Sequence, residues 1–171
     1  YSVFTAFLGF EVNEGEYKVM GMAPYGEPRY VDKVEKLIRV DADGSFRLDM
    51  DYFSYHYSPS QSFTPKFVDL FGPPREPESY FFTRSSGYPS YFGAKPANFD
   101  ELIKRNEYYA DIAASIQVVT EEIMLKMVNA LHRQTGQRRL CMAGGVALNS
   151  VANGRLLKET PFEEIYIQPA A

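Results

Sequence analysis

The chain opens on a dense apolar run, Ser2 to Phe10, too short for periodicity to separate a strand from a short helix. Asn13-Glu14-Gly15-Glu16 then reads as a helix start, with Asn13 in the capping position and carboxylates where the helix dipole favours them. This helix should run through Met20 and stop before Pro24, because the residue preceding a proline is biased away from helix. Pro24-Tyr25-Gly26 makes the turn. From Tyr30 to Val40 the pattern is that of an amphipathic helix, with Val34, Leu37 and Ile38 on one face and Asp32, Lys33, Glu35 and Lys36 on the other. Asp41-Ala42-Asp43-Gly44 reads as a turn joining two short strands, with Phe46 and Leu48 alternating on the second.

Periodicity fades from Asp51 to Phe99, where Tyr, Phe, Ser, Pro and Gly dominate, and this stretch reads as a loop-rich insertion. Within it, Thr64 to Phe71 suits a short helix, with Thr64 as cap, Pro65 at the first position and Gly72-Pro73-Pro74 as the stop. The longest element should be a helix from about Tyr108 to Gln134. Ile112, Ile116, Val119, Ile123, Met127 and Ala130 recur at spacings of three and four, and Ala113, Met124, Val128 and Leu131 widen the stripe until most of the circumference is covered. Gly136 ends it, just before a strand from Arg139 to Met142. Gly144-Gly145 turns the chain into a helix running from Val146 to about Lys158, with Ala147, Leu148 and Val151 as its apolar face. Thr160-Pro161 breaks that helix ahead of a strand at Glu164 to Gln168. Strand, helix and strand in this order predict a parallel crossover and place the chain in the α/β class.

At 171 residues the chain is about one domain, able to bury a core without staples. A 45% hydrophobic content and a mean hydropathy of -0.30 fit a folded, water-soluble protein. A net charge of -4 and a pI near 5.3 argue against a general nucleic-acid surface. No apolar run reaches bilayer-spanning length, which argues against a membrane partner. The single Cys141 has no internal disulfide partner, is compatible with a reducing cytoplasm, and reads as a small core residue. Without a starting methionine and with abrupt ends, the chain reads as a piece of a longer protein.

The chemistry concentrates at Gly144-Gly145. Two missing Cβ atoms at a strand end let the backbone turn and another group come close, and the following helix start leaves N–H groups and a positive dipole end aimed at one spot. This is a small anion or nucleotide cradle, and Asn149 and Asn153, four apart, would share a helix face beside it. On spacing alone, the same pair is also how two packed elements are simply joined. Asp41 to Gly44 lacks the further oxygens and the distal glutamate of a calcium loop. Met124 and Met127 read as packing. Tyr80 to Gly93, dense in aromatics, reads as a loop laid on the domain rather than a base-stacking surface.

Four stretches in order carry a family resemblance: Gly15-Glu16-Tyr17-Lys18-Val19-Met20-Gly21-Met22-Ala23-Pro24-Tyr25-Gly26, Asp111-Ile112-Ala113-Ala114-Ser115-Ile116-Gln117, Ala143-Gly144-Gly145-Val146-Ala147-Leu148-Asn149, and Ile165-Tyr166-Ile167-Gln168-Pro169-Ala170-Ala171. Together they resemble the O-carbamoyltransferases of the NodU/CmcH type. The resemblance implies part of an actin-like or sugar-kinase-like ATPase domain built from ribonuclease-H-like halves. It also implies formation of carbamoyl-adenylate from carbamoyl phosphate and ATP, with transfer to a hydroxyl-bearing acceptor helped by a YrdC-like domain elsewhere in the polypeptide. It implies that Gly144, Gly145, Val146 and Asn149 line the nucleotide, that Glu16 accepts from ribose hydroxyls, and that Lys18 meets phosphate charge. The family's divalent metal is held by a histidine pair four apart and an acidic residue beyond the closing Pro-Ala-Ala run. Here His56 and His132 are isolated, so this chain is expected to contribute no metal ligand. Two other readings stay open: a non-catalytic interaction module that keeps the fold, and a phosphotransferase of the sugar-kinase type.

Overall fold

The computed structural model describes residues 1–169, so Ala170 and Ala171 of the closing Pro-Ala-Ala run lie outside the described residues. The element order is α1 (Ser2–Phe7), α2 (Glu16–Met22), α3 (Val31–Glu35), β1 (Ile38–Val40), β2 (Phe46–Leu48), α4 (Pro65–Phe71), α5 (Phe99–Thr135), β3 (Arg139–Met142), α6 (Ser150–Glu159) and β4 (Glu164–Ile167). Helix and sheet are mixed around one long helix. At 37 residues, α5 is about 55 Å long and runs through two apolar clusters.

The first cluster joins α1, α2, α3 and α4 to the N-terminal half of α5. The opening apolar run resolves as helix, and Phe4 and Phe7 reach Phe67 and Phe71 of α4 edge to face, with centroids 5.2 to 6.1 Å apart. The stretch read as a loop-rich insertion therefore supplies core: Phe53, Phe67, Phe71 and Phe82 are all buried. Arg75, also buried, stitches it to α1 by donating to the Leu8 carbonyl at 3.0 Å and to the Ser79 carbonyl. Tyr80 stacks on Phe92 and Phe82 on Phe99, so the aromatic segment packs on the domain.

The second cluster holds Met124, Leu125 and Val128 of α5 against Leu140, Ala152, Leu156 and Phe162. β3 and β4 pair in parallel, with Leu140 opposite Ile165 and Cys141 opposite Tyr166, and α6 makes the crossover. Leu140 faces the core, while Cys141 and Tyr166 are exposed on the opposite side. Cys141 is thus not a core residue, because a strand sends alternate side chains to opposite faces.

Several boundaries differ from the sequence pattern. Tyr30 to Val40 is one short helix followed by a strand: Ile38–Val40 finds partners in β2 across the Asp41–Gly44 turn, and the Leu37 carbonyl accepts from Asp49 N–H at 2.9 Å. Leu37 is buried in either geometry, so its apolar character did not discriminate. Phe46 and Leu48 on β2 stay exposed. Helix α5 begins at Phe99 rather than about Tyr108, with Asp100 and Glu101 in its first turn. Near its end the stripe is wider than the core, since Met127 and Leu131 are exposed. Gly136, at φ +63, closes it with a left-handed cap. Thr64 occupies the cap position of α4, but its hydroxyl donates to the Asp51 carbonyl rather than capping.

Candidate functional site

Gly15 is the residue that caps helix α2, and any Cβ there would meet Glu11 O and Phe10 Cβ at 2.7 Å. Asn13 is not the cap. It sits at φ +72, and its N–H donates to Glu16 Oε1 at 3.1 Å, so the first-turn carboxylate reaches back over the turn that precedes the helix. Glu16 is thereby fixed, half-buried, on the side of α2 that looks across to the β3–α6 connection.

That connection is not a continuous helix. Gly144 takes φ +95, a conformation that glycine adopts without a Cβ penalty, and Gly145–Leu148 forms a tight 3-10 turn. Asn149 then has extended backbone and caps α6, its Oδ1 accepting from Ala152 N–H at 3.1 Å. The expected shared face of Asn149 and Asn153 does not form, because Asn149 precedes the helix and Asn153 donates to the Ala147 carbonyl at 2.8 Å. Leu148 and Val151, read as an apolar helix face, are exposed, and Ala152 and Leu156 face the core instead.

Between α2 and this turn lies a cleft of about 640 Å³. Its walls include Glu14, Glu16, Tyr17 and Met20 on one side and Gly145, Val146, Leu148 and Asn149 on the other, with Tyr1 and Ser2 at the floor. No side chain or backbone atom stands within 4 Å of a Cβ placed on Gly145, so the glycine opens toward free space. The volume lies in the range of small-molecule and cofactor sites. Val146, Tyr1 and Ser2 also border a second hollow of about 660 Å³, lined mainly by apolar side chains of α1, α5 and the β1–β2 hairpin.

Over residues 1–171 the sequence matches the family described as Carbamoyltransferase N-terminus. The chain belongs to this carbamoyltransferase family. It is 49% identical over its full length to an uncharacterised protein of Synechocystis sp., covering 24% of that protein. It is 31% identical to Nodulation protein NolO of Bradyrhizobium diazoefficiens over 91% of the chain and 22% of the relative. For Nodulation protein NolNO of Sinorhizobium fredii, the identity is 30% over 96% of the chain and 19% of the relative. The chain therefore spans about a fifth to a quarter of the length of these relatives.

Of the residues singled out in the sequence, Glu16, Gly145, Val146 and Asn149 of this carbamoyltransferase-family chain border one cleft, although Glu16 and Gly145 are more than a hundred positions apart. Gly144 shapes the turn from behind. Lys18 points elsewhere: its ammonium lies 3.5 Å from Glu78 and over the Phe10 ring. Among the described residues, those lining the cleft include two carboxylates and no Lys, Arg or His.

What sequence reasoning missed lies beneath the turn. Gln117 of α5 donates to Asn149 Oδ1 and accepts from Asn149 Nδ2, both at 3.0 Å, and donates to Glu121 Oε1 at 2.7 Å. Gln117 Oε1 also accepts from the Tyr1 hydroxyl at 3.0 Å, and burial together with the charges of Glu16 and Glu121 pushes that phenol's pKa up. Arg155 of α6 closes the chain of contacts, donating to Glu121 at 3.0 Å, Glu122 at 2.9 Å and Glu159 at 2.8 Å. The Arg155 hydrogen bond to Glu159 holds that carboxyl below its ordinary pKa. The signal was the spacing of Gln117 and Glu121, four apart on a helix face otherwise apolar.

Among the described residues no three His, Cys, Asp or Glu side chains cluster as a metal site. His132, in the last turn of α5, sets its ring edge-on to Phe162 at 5.3 Å. No helix among the described residues is long and apolar enough to cross a membrane.

Proposed function

We propose that this chain supplies the nucleotide-binding wall of a carbamoyltransferase. The observation that carries the reading is the convergence of Glu16 with the Gly145–Asn149 turn on one cleft of about 640 Å³. In this reading Glu16 accepts hydrogen bonds from ribose hydroxyls, and Tyr17 and Met20 offer apolar surface to a base. The open side of Gly145 lets phosphate oxygens approach the turn. ATP fits this donor set at its nucleoside end. At its phosphate end the cleft offers backbone rather than cationic side chains, and the neutralising charge comes from outside the chain. A divalent metal held by residues elsewhere in the full-length protein would supply that charge.

The finer reading follows the family. Carbamoyl phosphate and ATP, with one water, form a carbamoyl-adenylate in the cytoplasm and release phosphate and pyrophosphate, and the carbamoyl group then passes to an acceptor hydroxyl, releasing AMP, with the help of a YrdC-like domain. The domain is then part of an actin-like or sugar-kinase-like fold, for which the parallel β3–α6–β4 crossover is support. A second reading, an interaction module that keeps the fold, has its own support in the apolar hollow and in exposed Val146, Leu148, Val151 and Tyr166. A sugar-kinase-type phosphotransferase would instead release ADP by transferring the γ-phosphate.

Glu16→Ala in the full-length protein separates the nucleotide reading of the cleft from the interaction module, while release of ADP rather than pyrophosphate would mark the phosphotransferase. Losing two charge-assisted hydrogen bonds, each worth about 1.5–3 kcal/mol, should weaken ATP binding at least tenfold by calorimetry. Affinity equal to that of the unaltered protein would favour the interaction module.

A further inference from the structure

We infer that Gln117 is a positioning residue for the cleft, holding the Gly145–Asn149 turn in its ligand-receiving shape through Asn149. This rests on the nucleotide reading of the cleft. Every hydrogen-bonding position of the Gln117 amide is occupied. Its two N–H groups go to Asn149 Oδ1 and Glu121 Oε1, and its carbonyl takes Asn149 Nδ2 and the Tyr1 hydroxyl. The reciprocal amide pair fixes which way Asn149 points, and Asn149 Oδ1 in turn takes the Ala152 N–H that starts α6. Both amides are buried, so neither exchanges these partners for water. The turn that faces the cleft is thus anchored to the longest helix of the fold at its C-terminal end.

Only an amide serves at this position. An ionised Glu at 117 would still accept from Asn149 and Tyr1, but it would have no proton for Asn149 Oδ1 or for Glu121. It would also set two buried carboxylates against each other. The charged or titratable groups around it are Glu121 on α5, Arg155 on α6, the Tyr1 phenol ahead of α1, and Glu16 on α2 across the cleft. Burial and repulsion disfavour a charge at 117, so at low pH the neutral acid regains one O–H, which can donate to Asn149 Oδ1 in place of the lost N–H.

Gln117→Glu and Gln117→Met in the full-length protein test this, with ATP as the probe and calorimetry from pH 8 to pH 5.5. Relative to the unaltered protein at each pH, Gln117→Glu should bind at least tenfold more weakly at pH 8 and recover most of the loss by pH 5.5. Gln117→Met, uncharged and of similar volume, should stay weak throughout. Urea midpoints are read beside affinity at each pH: a loss of ATP affinity in a variant that remains folded upholds the inference, and a loss that appears only where the variant unfolds overturns it. Wild-type affinity at pH 8 in a folded Gln117→Glu or Gln117→Met variant would overturn the inference. If the unaltered protein binds no ATP, the nucleotide reading fails, and hydrogen exchange at the Ala152 amide decides the anchoring by itself. Faster exchange in Gln117→Met upholds it, and unchanged exchange overturns it.

Discussion

Gly26→Ala should cost more than about 3 kcal/mol of stability, a large share of the roughly 5–15 kcal/mol that holds an ordinary domain folded. A Cβ at this position would stand 2.1 Å from the carbonyl carbon of Ala110, 2.2 Å from its oxygen and 2.4 Å from Asp111 N. All three are backbone atoms of α5, which cannot rotate aside as a side chain can. The Gly26 backbone itself is extended and unstrained, so the penalty is contact alone. The approach is held from both sides: the 3-10 turn Ala23–Tyr25 leads into Gly26, and Glu27 N–H donates to Asp111 Oδ1 at 2.7 Å. The first and second resemblance motifs therefore meet as a packing joint. Gly21→Ala is the matched control, because nothing lies within 4 Å of its added Cβ and it sits inside α2. It should stabilise by about 0.5–1 kcal/mol. Urea unfolding of the two variants checks this, and coincident midpoints would refute the joint.

Gly145→Leu should remove nucleotide binding, by a hundredfold or more, while leaving the fold intact. Gly145 carries no positive φ and meets nothing where a Cβ would go, so the side chain is accommodated by projecting into the open cleft. A ligand seated there would have to displace it. Gly144→Leu is not equivalent, since φ +95 strains any larger residue before the ligand is considered. Circular dichroism and ATP calorimetry on the full-length Gly145→Leu protein give the answer. Native ellipticity with unaltered affinity would put the nucleotide elsewhere.

Much of the fold was legible from local pattern. The strand, glycine turn, helix and strand from Arg139 to Ile167 follow from apolar runs and breakers, and Gly136 and Gly72 stop their helices where expected. Errors arose where tertiary partners decided between equal local options. Ile38 to Val40 is strand because β2 pairs with it, not because helix is locally disfavoured. Residues 99–107 are helical, although only Phe99, Leu102 and Ile103 among them are apolar, because Ile103 is buried and Asn106 donates to the Phe82 carbonyl at 2.9 Å. In the candidate site, glycine and asparagine positions were readable as motif. Their partners were not: Gln117, Glu121 and Arg155 lie on two helices, and nothing local marks an amide as bonded to one 32 residues away.

The most direct test of the account is a crystal structure of the full-length protein with a non-hydrolysable ATP analogue. The nucleoside should lie between α2 and the Gly145–Asn149 turn, with Glu16 at hydrogen-bond distance, about 3 Å, from a ribose hydroxyl. Nucleotide bound elsewhere, with this cleft filled by the protein's own polypeptide, would contradict it.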